Sequence, residues 1–394
     1  MVAIRRAELY HVALPLKTRV KHASHDRITS DNLIVRVELS DGSVGYGEGV
    51  PRSYVTGETV ESTFAALRQI DLPRQIGLPA DMSGVVRALD ALEFPENVAD
   101  ARGMACNSAR CALEIAVLDA YGRHFGESMG EAIRRVNQPD VLYSPKPRPV
   151  RYSGAITASS RVQELRSAFK MWVYGFRHVK LKVGVEGQDD PARMRAMRRM
   201  LGRRIDVRLD ANESWRPDEV VARIRPLLPF RPSLIEQPVA HDQVETLAGL
   251  RPLIGLPVML DESLCSVGDA LHAIEHQTAD LFNVRLSKCG GLLRSLKIVG
   301  LARRAGLGMQ LGCHPGESGI LSAAGRQFAA NVEELRYVEG SYDRHILTRN
   351  LLKSDITFGY GGWAPPLGGP GLGVQVDAEA LSRLTRDRVE LSYD

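Results

Sequence analysis

VKLKVG at 179–184, VRLDAN at 207–212, LIEQP at 234–238, VMLDES at 258–263 and VRLSKCGG at 284–291 follow one pattern, a short Val/Leu/Ile run that leads to a charge. The charges are Lys182, Asp210, Glu236, Asp261 and Lys288, separated by 28, 26, 25 and 27 residues. That interval holds one strand, one helix and two loops, the period of consecutive βα units. In a parallel barrel the strand ends of one face converge, so charges placed there read as chemistry rather than packing.

Carried forward, the period reaches GMQLGCHP at 308–315 and LRYVEG at 335–340. Carried back, it reaches residues 152–155. Eight strands follow, and a (β/α) barrel is expected over 150–345. The three prolines of 143–149 mark its start. Residues 1–140 have a different rhythm. AELYHVALPL (7–16) and NLIVRVELSDGSVGYGEG (32–49) alternate, with Asp41-Gly42 as a hairpin turn, and a helix is expected over 101–125. Strands followed by helices make an α+β domain. Beyond 345, GYGGWAPPLGGPGLGV (359–374) reads as a return loop, and 346–394 is expected to pack back on the first domain.

The composition, 44% hydrophobic and 25% charged, is that of a globular chain, and a net charge of +4 is too small to imply a polyanionic partner. Arg193, Arg195, Arg198, Arg199, Arg203 and Arg204 cluster between the second and third barrel strands, where a solvated helix face is expected. Nucleic acid and membrane are therefore not expected as partners. The five cysteines form neither a CxxC pair nor a metal spacing. With no signal core at the start, reduced thiols and a cytoplasmic location are expected.

In a ring of eight, the second and sixth strands lie on opposite sides, with the three carboxylates on the arc between them. Converging carboxylates repel one another unless a cation is present, and hard oxygen donors suit Mg2+, with Mn2+ next. Helix capping or arginine pairing would account for any one of Asp210, Glu236 and Asp261 alone, but less readily for three on successive strands. Lys180 lies two residues before Lys182, on the same face, and a neighbouring ammonium lowers a lysine pKa. Lysines on both sides of a cation suit abstraction of a proton α to a carboxylate through a metal-stabilised enediolate, with one base for each face of the carbon. A Schiff base at Lys288 is the competing reading, although it leaves the carboxylates without a role.

These motifs, K-x-K at Lys180 and Lys182, D-x-N at Asp210 and Asn212, E-Q-P at 236–238, D-E-S at 261–263 and K-x-G-G at 288–291, resemble the enolase superfamily, specifically its muconate lactonizing enzyme subgroup. The resemblance covers nearly the whole chain. It implies a modified TIM (β/α) barrel with an N-terminal α+β capping domain completed by the C-terminal segment. It further implies Mg2+ on Asp210, Glu236 and Asp261, an acid/base pair of Lys182 and Lys288, and Lys180 near the substrate carboxylate. The mandelate racemase pattern, a seventh-strand His with a sixth-strand Asp, fails because the sixth position carries Lys288. ESMGEAIRRVNQPD (127–140) replaces the family's Leu-Leu-Gly-Gly, and VEGSYD (338–343) lacks the Asp-x-Asp of many dipeptide epimerases.

Asn212, His314, Glu317 and Glu339 are the substrate-binding candidates. Glu339 has two readings, a partner for a cationic substrate group or an ion pair with a nearby arginine. Capping loops 21–27, with His22 and His25, and 51–58, with Tyr54 and Thr56, are expected to close over the pocket. GYGEG is not followed by a helix-opening pattern, which argues against a phosphate loop. The expected activity is a Mg2+-dependent isomerase, a racemase, epimerase or cycloisomerase, acting on a small-molecule carboxylate in a homo-oligomer. A lyase using the same intermediate and a non-catalytic ligand-binding barrel are the alternatives.

Overall fold

The structure is a computed structural model that describes residues 2–21, 26–95, 104, 106–157 and 160–393. His22 and His25 lie outside the described residues. The first two strands, Ile4–Lys21 and Asp26–Leu39, form a long antiparallel hairpin. Val44–Gly49 adds to it after the turn at Asp41-Gly42, where Gly42 has φ 88° and the Asp41 carboxylate accepts from Ser43 N–H. Thr385–Ser392 pairs with the outer edge of Ile4–Lys21, and the sheet order is then last strand, first, second, third.

The helix Asn107–Phe125 packs across this sheet and is buried on nearly every side. GYGEG explains the close approach. A Cβ on Gly45, Gly47 or Gly49 would meet the carbonyl oxygens of Ala116, Ala112 and Ser108 at 2.2, 1.9 and 2.1 Å. Alternate strand residues thus face helix residues four apart, and no side chain larger than hydrogen fits between.

Eight parallel strands follow: Gly154–Ile156, His178–Lys182, Asp206–Asp210, Ile235–Glu236, Val258–Leu260, Leu281–Val284, Gly308–Leu311 and Leu335–Val338. Each pairs with its sequence neighbour, and Ser153 N–H donates to Val338 C=O at 2.8 Å, which joins the two edges. Leu234, Met259, Leu281 and Tyr337 form one buried layer. Each stands two residues before a polar side chain (Glu236, Asp261, Asn283 and Glu339), so strand alternation places an apolar floor beneath a charged mouth.

Two arginines depart from the solvated helix face expected for their cluster. Arg193 is buried, and Arg198 donates to the carbonyls of Phe230 and Ile205. The return segment meets the barrel through Trp363–Ala364, which pairs with Val150–Arg151.

The first sheet and the barrel share one continuous apolar core. Two glutamates tie them further, each at the start of a barrel helix. Glu48 accepts from Ser318 and Leu321 N–H at 2.8 and 2.9 Å, ahead of Gly319–Asn331. Glu114 accepts from Leu292 and Leu293 N–H at 2.5 and 3.2 Å, at the start of Leu292–Arg304. That helix begins at Gly291, which has no side chain to cap it. A carboxylate at a helix N-terminus satisfies unpaired N–H groups and meets the positive end of the helix dipole.

Candidate active site

Lys182, Asp210 and Glu236 are the last residues of their strands, Asp261 and Glu339 immediately follow theirs, and all five open on one end of the barrel. Lys288 differs from expectation. The sixth strand ends at Val284, and Lys288 lies four residues later in the turn that follows. Its ammonium reaches back, donating to Asn283 C=O and to Asp261 Oδ1, each at 2.9 Å. Asn107 holds the turn from above, donating to the carbonyls of Lys288 and Cys265 at 2.7 and 2.8 Å. The K-x-G-G glycines serve this geometry. Gly290 and Gly291 have φ of 80° and 102°, and a Cβ on Gly291 would sit 2.7 Å from the Glu114 carboxylate.

Other motif residues stitch successive strand ends together. Gln237 of E-Q-P accepts from Asp261 N–H at 2.9 Å and donates to Ser263 Oγ at 2.7 Å. Asn212 of D-x-N has φ 42°, donates from its backbone to Asp210 at 3.1 Å and from its amide to Glu262 at 3.3 Å. The second strand is clamped from outside. Arg193 pairs with Glu164 and Asp190 and donates to Lys182 C=O at 2.8 Å.

The charges divide into two groups. Lys180 Nζ lies 3.1 Å from Asp210, 3.4 Å from Glu236 and 3.1 Å from Glu339. Arg208, fully buried and stacked over Tyr337, also pairs with Glu339. Asp261 is held instead by Lys288 and Arg285. Glu339 thus makes ion pairs with both Lys180 and Arg208. Among the described residues no three His, Cys, Asp or Glu side chains group closely enough to hold a metal ion, and Lys180, Arg285 and Lys288 stand among the carboxylates.

The donor set still fits a hard divalent cation. Asp210, Glu236 and Asp261 are 4, 0 and 0% exposed, offer only carboxylate oxygen, and have their charge balanced by cations. Burial pushes the Glu236 carboxyl up, with Asp210 and Glu339 adding repulsion against the opposing pull of Lys180.

The lysines titrate in opposite directions. Burial lowers Lys182, and the adjacent Lys180 ammonium lowers it further. Burial lowers Lys288 too. Burial acts on Lys180 in the same sense, but Glu236, Glu339 and Asp210 outweigh it and hold that ammonium protonated. The arrangement therefore sets one lysine held protonated beside two whose pKa values burial lowers.

His314 and Glu317 sit in the turn after the seventh strand, where the Glu317 carboxylate accepts from His314 N–H at 3.1 Å. Tyr54 OH accepts from Arg27, and Thr56 Oγ1 donates to Arg52 C=O. The sequence reading passed over Arg208, Asn283 and Arg285. Asn283 donates to Glu236 at 2.8 Å. The two-residue alternation that singles out Lys180 before Lys182 would also have found Arg208 before Asp210.

Residues 163–380 match the family model described as Enolase C-terminal domain-like. The chain is 29% identical to the N-succinyl-L-Arg/Lys racemase of Bacillus cereus, over 97% of this chain and 98% of that one. The crystal structure of N-succinyl Arg/Lys racemase from that organism matches with a TM-score of 0.84 at 25% identity, covering 99% and 100% of the two chains. Muconate cycloisomerase 1 of Rhodococcus opacus is 29% identical over 95% of this chain and 96% of its own. The L-Lys-D/L-Arg epimerase of Methylococcus capsulatus is 30% identical over 84% and 88%.

Proposed function

The chain belongs to the Enolase C-terminal domain-like family of the enolase superfamily, and from that premise we propose that it is a Mg2+-dependent isomerase that removes and returns a proton α to a substrate carboxylate. The observation that carries this reading is a pair of lysines, Lys182 and Lys288, both lowered by burial and reached from opposite sides of the barrel, with buried carboxylates on the arc between. Asp210, Glu236 and Asp261 would hold Mg2+, which supplies positive charge to the substrate carboxylate as its α-carbon loses a proton. Lys182 takes the proton from one face and Lys288 delivers one to the other, with the roles exchanged in the reverse direction. Lys180, kept charged by its three carboxylates, orients the substrate carboxylate. Asn212, His314, Glu317 and Glu339 line the pocket and set its polarity.

We assign residues 1–140 to the cap, 150–345 to the barrel and 346–394 to the return segment. A cytoplasmic homo-oligomer belongs to the same reading. Racemase, epimerase and cycloisomerase names among the relatives favour isomerisation over elimination or simple ligand binding.

The test is α-proton exchange in D2O across N-acylamino acids, dipeptides and muconolactone with Mg2+ present. One of these classes is expected to exchange, and Lys182→Ala and Lys288→Ala are each expected to lower turnover by about 100- to 10,000-fold. Full turnover in both variants would end the two-base reading. Borohydride trapping at Lys288 would replace it with a Schiff base.

A further inference from the structure

The glycine-rich return segment, beyond crossing back to the cap, walls a cavity that the proposed reaction does not use. The cavity holds about 280 Å3, and its walls include Arg151, Phe176, Arg177, Ile205, Tyr360 and Trp363. Arg177 and Ile205 immediately precede the strands His178–Lys182 and Asp206–Asp210, so the cavity opens at the end of the barrel opposite Lys182 and Asp210. Five strand residues at about 3.3 Å each set the two ends about 16 Å apart. Gly361 and Gly362, at φ 69° and 77°, turn the return segment here. Tyr360 is laid against Gly175, where a Cβ would come within 2.8 Å of the tyrosine ring. Tyr360 and Trp363 stay 71 and 48% exposed.

No carboxylate lines this cavity, and among the described residues neither Arg151 nor Arg177 makes an ion pair. Arg151 donates from Nε to Gly361 C=O at 3.0 Å and from Nη2 to Gly175 C=O at 3.1 Å, both neutral acceptors. Its Nη1 meets no acceptor among the described residues, and its guanidinium carbon lies 5.1 Å from the centre of the Trp363 ring. Arg177 is exposed, and its guanidinium likewise meets no acceptor among the described residues. Asp206, beside Ile205, accepts instead from Tyr337 OH at 2.7 Å. Burial lowers the Arg151 pKa and Arg177 lowers it further, the effect of a like charge without a counterion. The turn ahead of Ile205 adds Arg203 and Arg204, both exposed. A second copy of the chain, set here about a two-fold axis, would press these arginines on their own kind, which is costly. An arriving anion meets the opposite situation.

We propose that this cavity, remote from the reacting groups, is a binding site for a small aromatic acid, one or two rings that bear a carboxylate. The carboxylate takes the free donors of Arg151 and Arg177, and the ring lies against Tyr360 and Trp363, whose faces accept a π-system. A volume of about 280 Å3 is near the lower end for small-molecule sites, which limits the number of rings. The proposal goes beyond the isomerase reading and does not rest on it.

The test is calorimetric binding to the full chain, with Mg2+ present, of phenylacetate and 2-naphthoate, each against its own amide, and of acetate as an anion without a ring. At least one aromatic acid is expected to bind about 10- to 100-fold tighter than its amide, the range of a charge-assisted contact, and at least about tenfold tighter than acetate. Arg177→Gln is expected to lower the acid-to-amide ratio at least about fivefold and to leave the amide unchanged. Trp363→Ala is expected to weaken acid and amide alike, by about 3- to 10-fold. No preference for acid over amide overturns the proposal, as does acetate binding as tightly as the aromatic acids, or wild-type ratios in both variants. Binding lost in Lys182→Ala but kept in Trp363→Ala would place the acid at the barrel mouth and overturn it too. So would sedimentation showing self-association that Trp363→Ala abolishes, since a second copy then covers the cavity. α-Proton exchange is expected to be unchanged in Arg177→Gln, so this site and the isomerase reading stand or fall separately.

Discussion

The two lysines illustrate how position rather than residue type sets reactivity. Lys180 and Lys182 are two residues apart on one strand, yet the first is surrounded by carboxylates and the second is next to the first. A two-base isomerase needs one lysine neutral and the other protonated in each direction, so kcat/KM should be bell-shaped with pH. It rises as the base loses its proton and falls as the acid loses its own. Because burial lowers Lys182 and Lys288 from the ordinary value of 10.5, both limbs are expected below that pH. A pH profile of exchange with the best substrate checks this. A single limb that reaches its plateau only above 10.5 would rule it out. The lysines and the three carboxylates were legible in sequence because each follows an apolar run at a regular interval. Arg285 was not legible, because its partner Asp261 belongs to a different strand. Gln237 was visible within E-Q-P, but its work was not, because it holds backbone N–H groups that sequence does not display.

At the scale of elements, a helix of the cap does what the barrel helix cannot do for itself. Leu292–Arg304 starts on a glycine, required by the φ of 102° at Gly291, and that glycine provides no side-chain acceptor. Glu114 supplies one from across the interface. Glu114→Ala is expected to cost about 1–2 kcal/mol in urea unfolding through the lost cap. It should also lower the exchange rate, since Gly291 links this N-terminus to the Lys288 turn. Unchanged exchange beside lost stability would show that the Lys288 turn holds its shape through Asn107 alone. The period of the βα units made the barrel readable, because each strand and helix reports its burial locally. The Glu114 and Glu48 contacts were unreadable, because they join residues far apart in the chain.

For the molecule as a whole, the outer strand Thr385–Ser392 closes the edge of Ile4–Lys21 and brings Arg388 to the buried Glu8. Its own outer face is charged, through Arg386, Asp387, Arg388 and Glu390, which discourages further strand addition. Removing 385–392 is expected to leave the first strand with a bare backbone edge and Glu8 paired with Arg36 alone. Light scattering should then rise with protein concentration while far-ultraviolet dichroism stays near that of the full chain. A monodisperse truncated protein would show that the edge is protected by other means.

That same pairing sets a timetable for synthesis. Arg6 sits opposite Ser392, so the first strand leaves the ribosome well before its partner, which lies 386 residues further along (392 − 6). At about 5–20 residues per second the wait is on the order of 20–80 s. The barrel emerges meanwhile and is free to collapse first, so for that interval the first strand of the cap keeps one border of unpaired backbone groups.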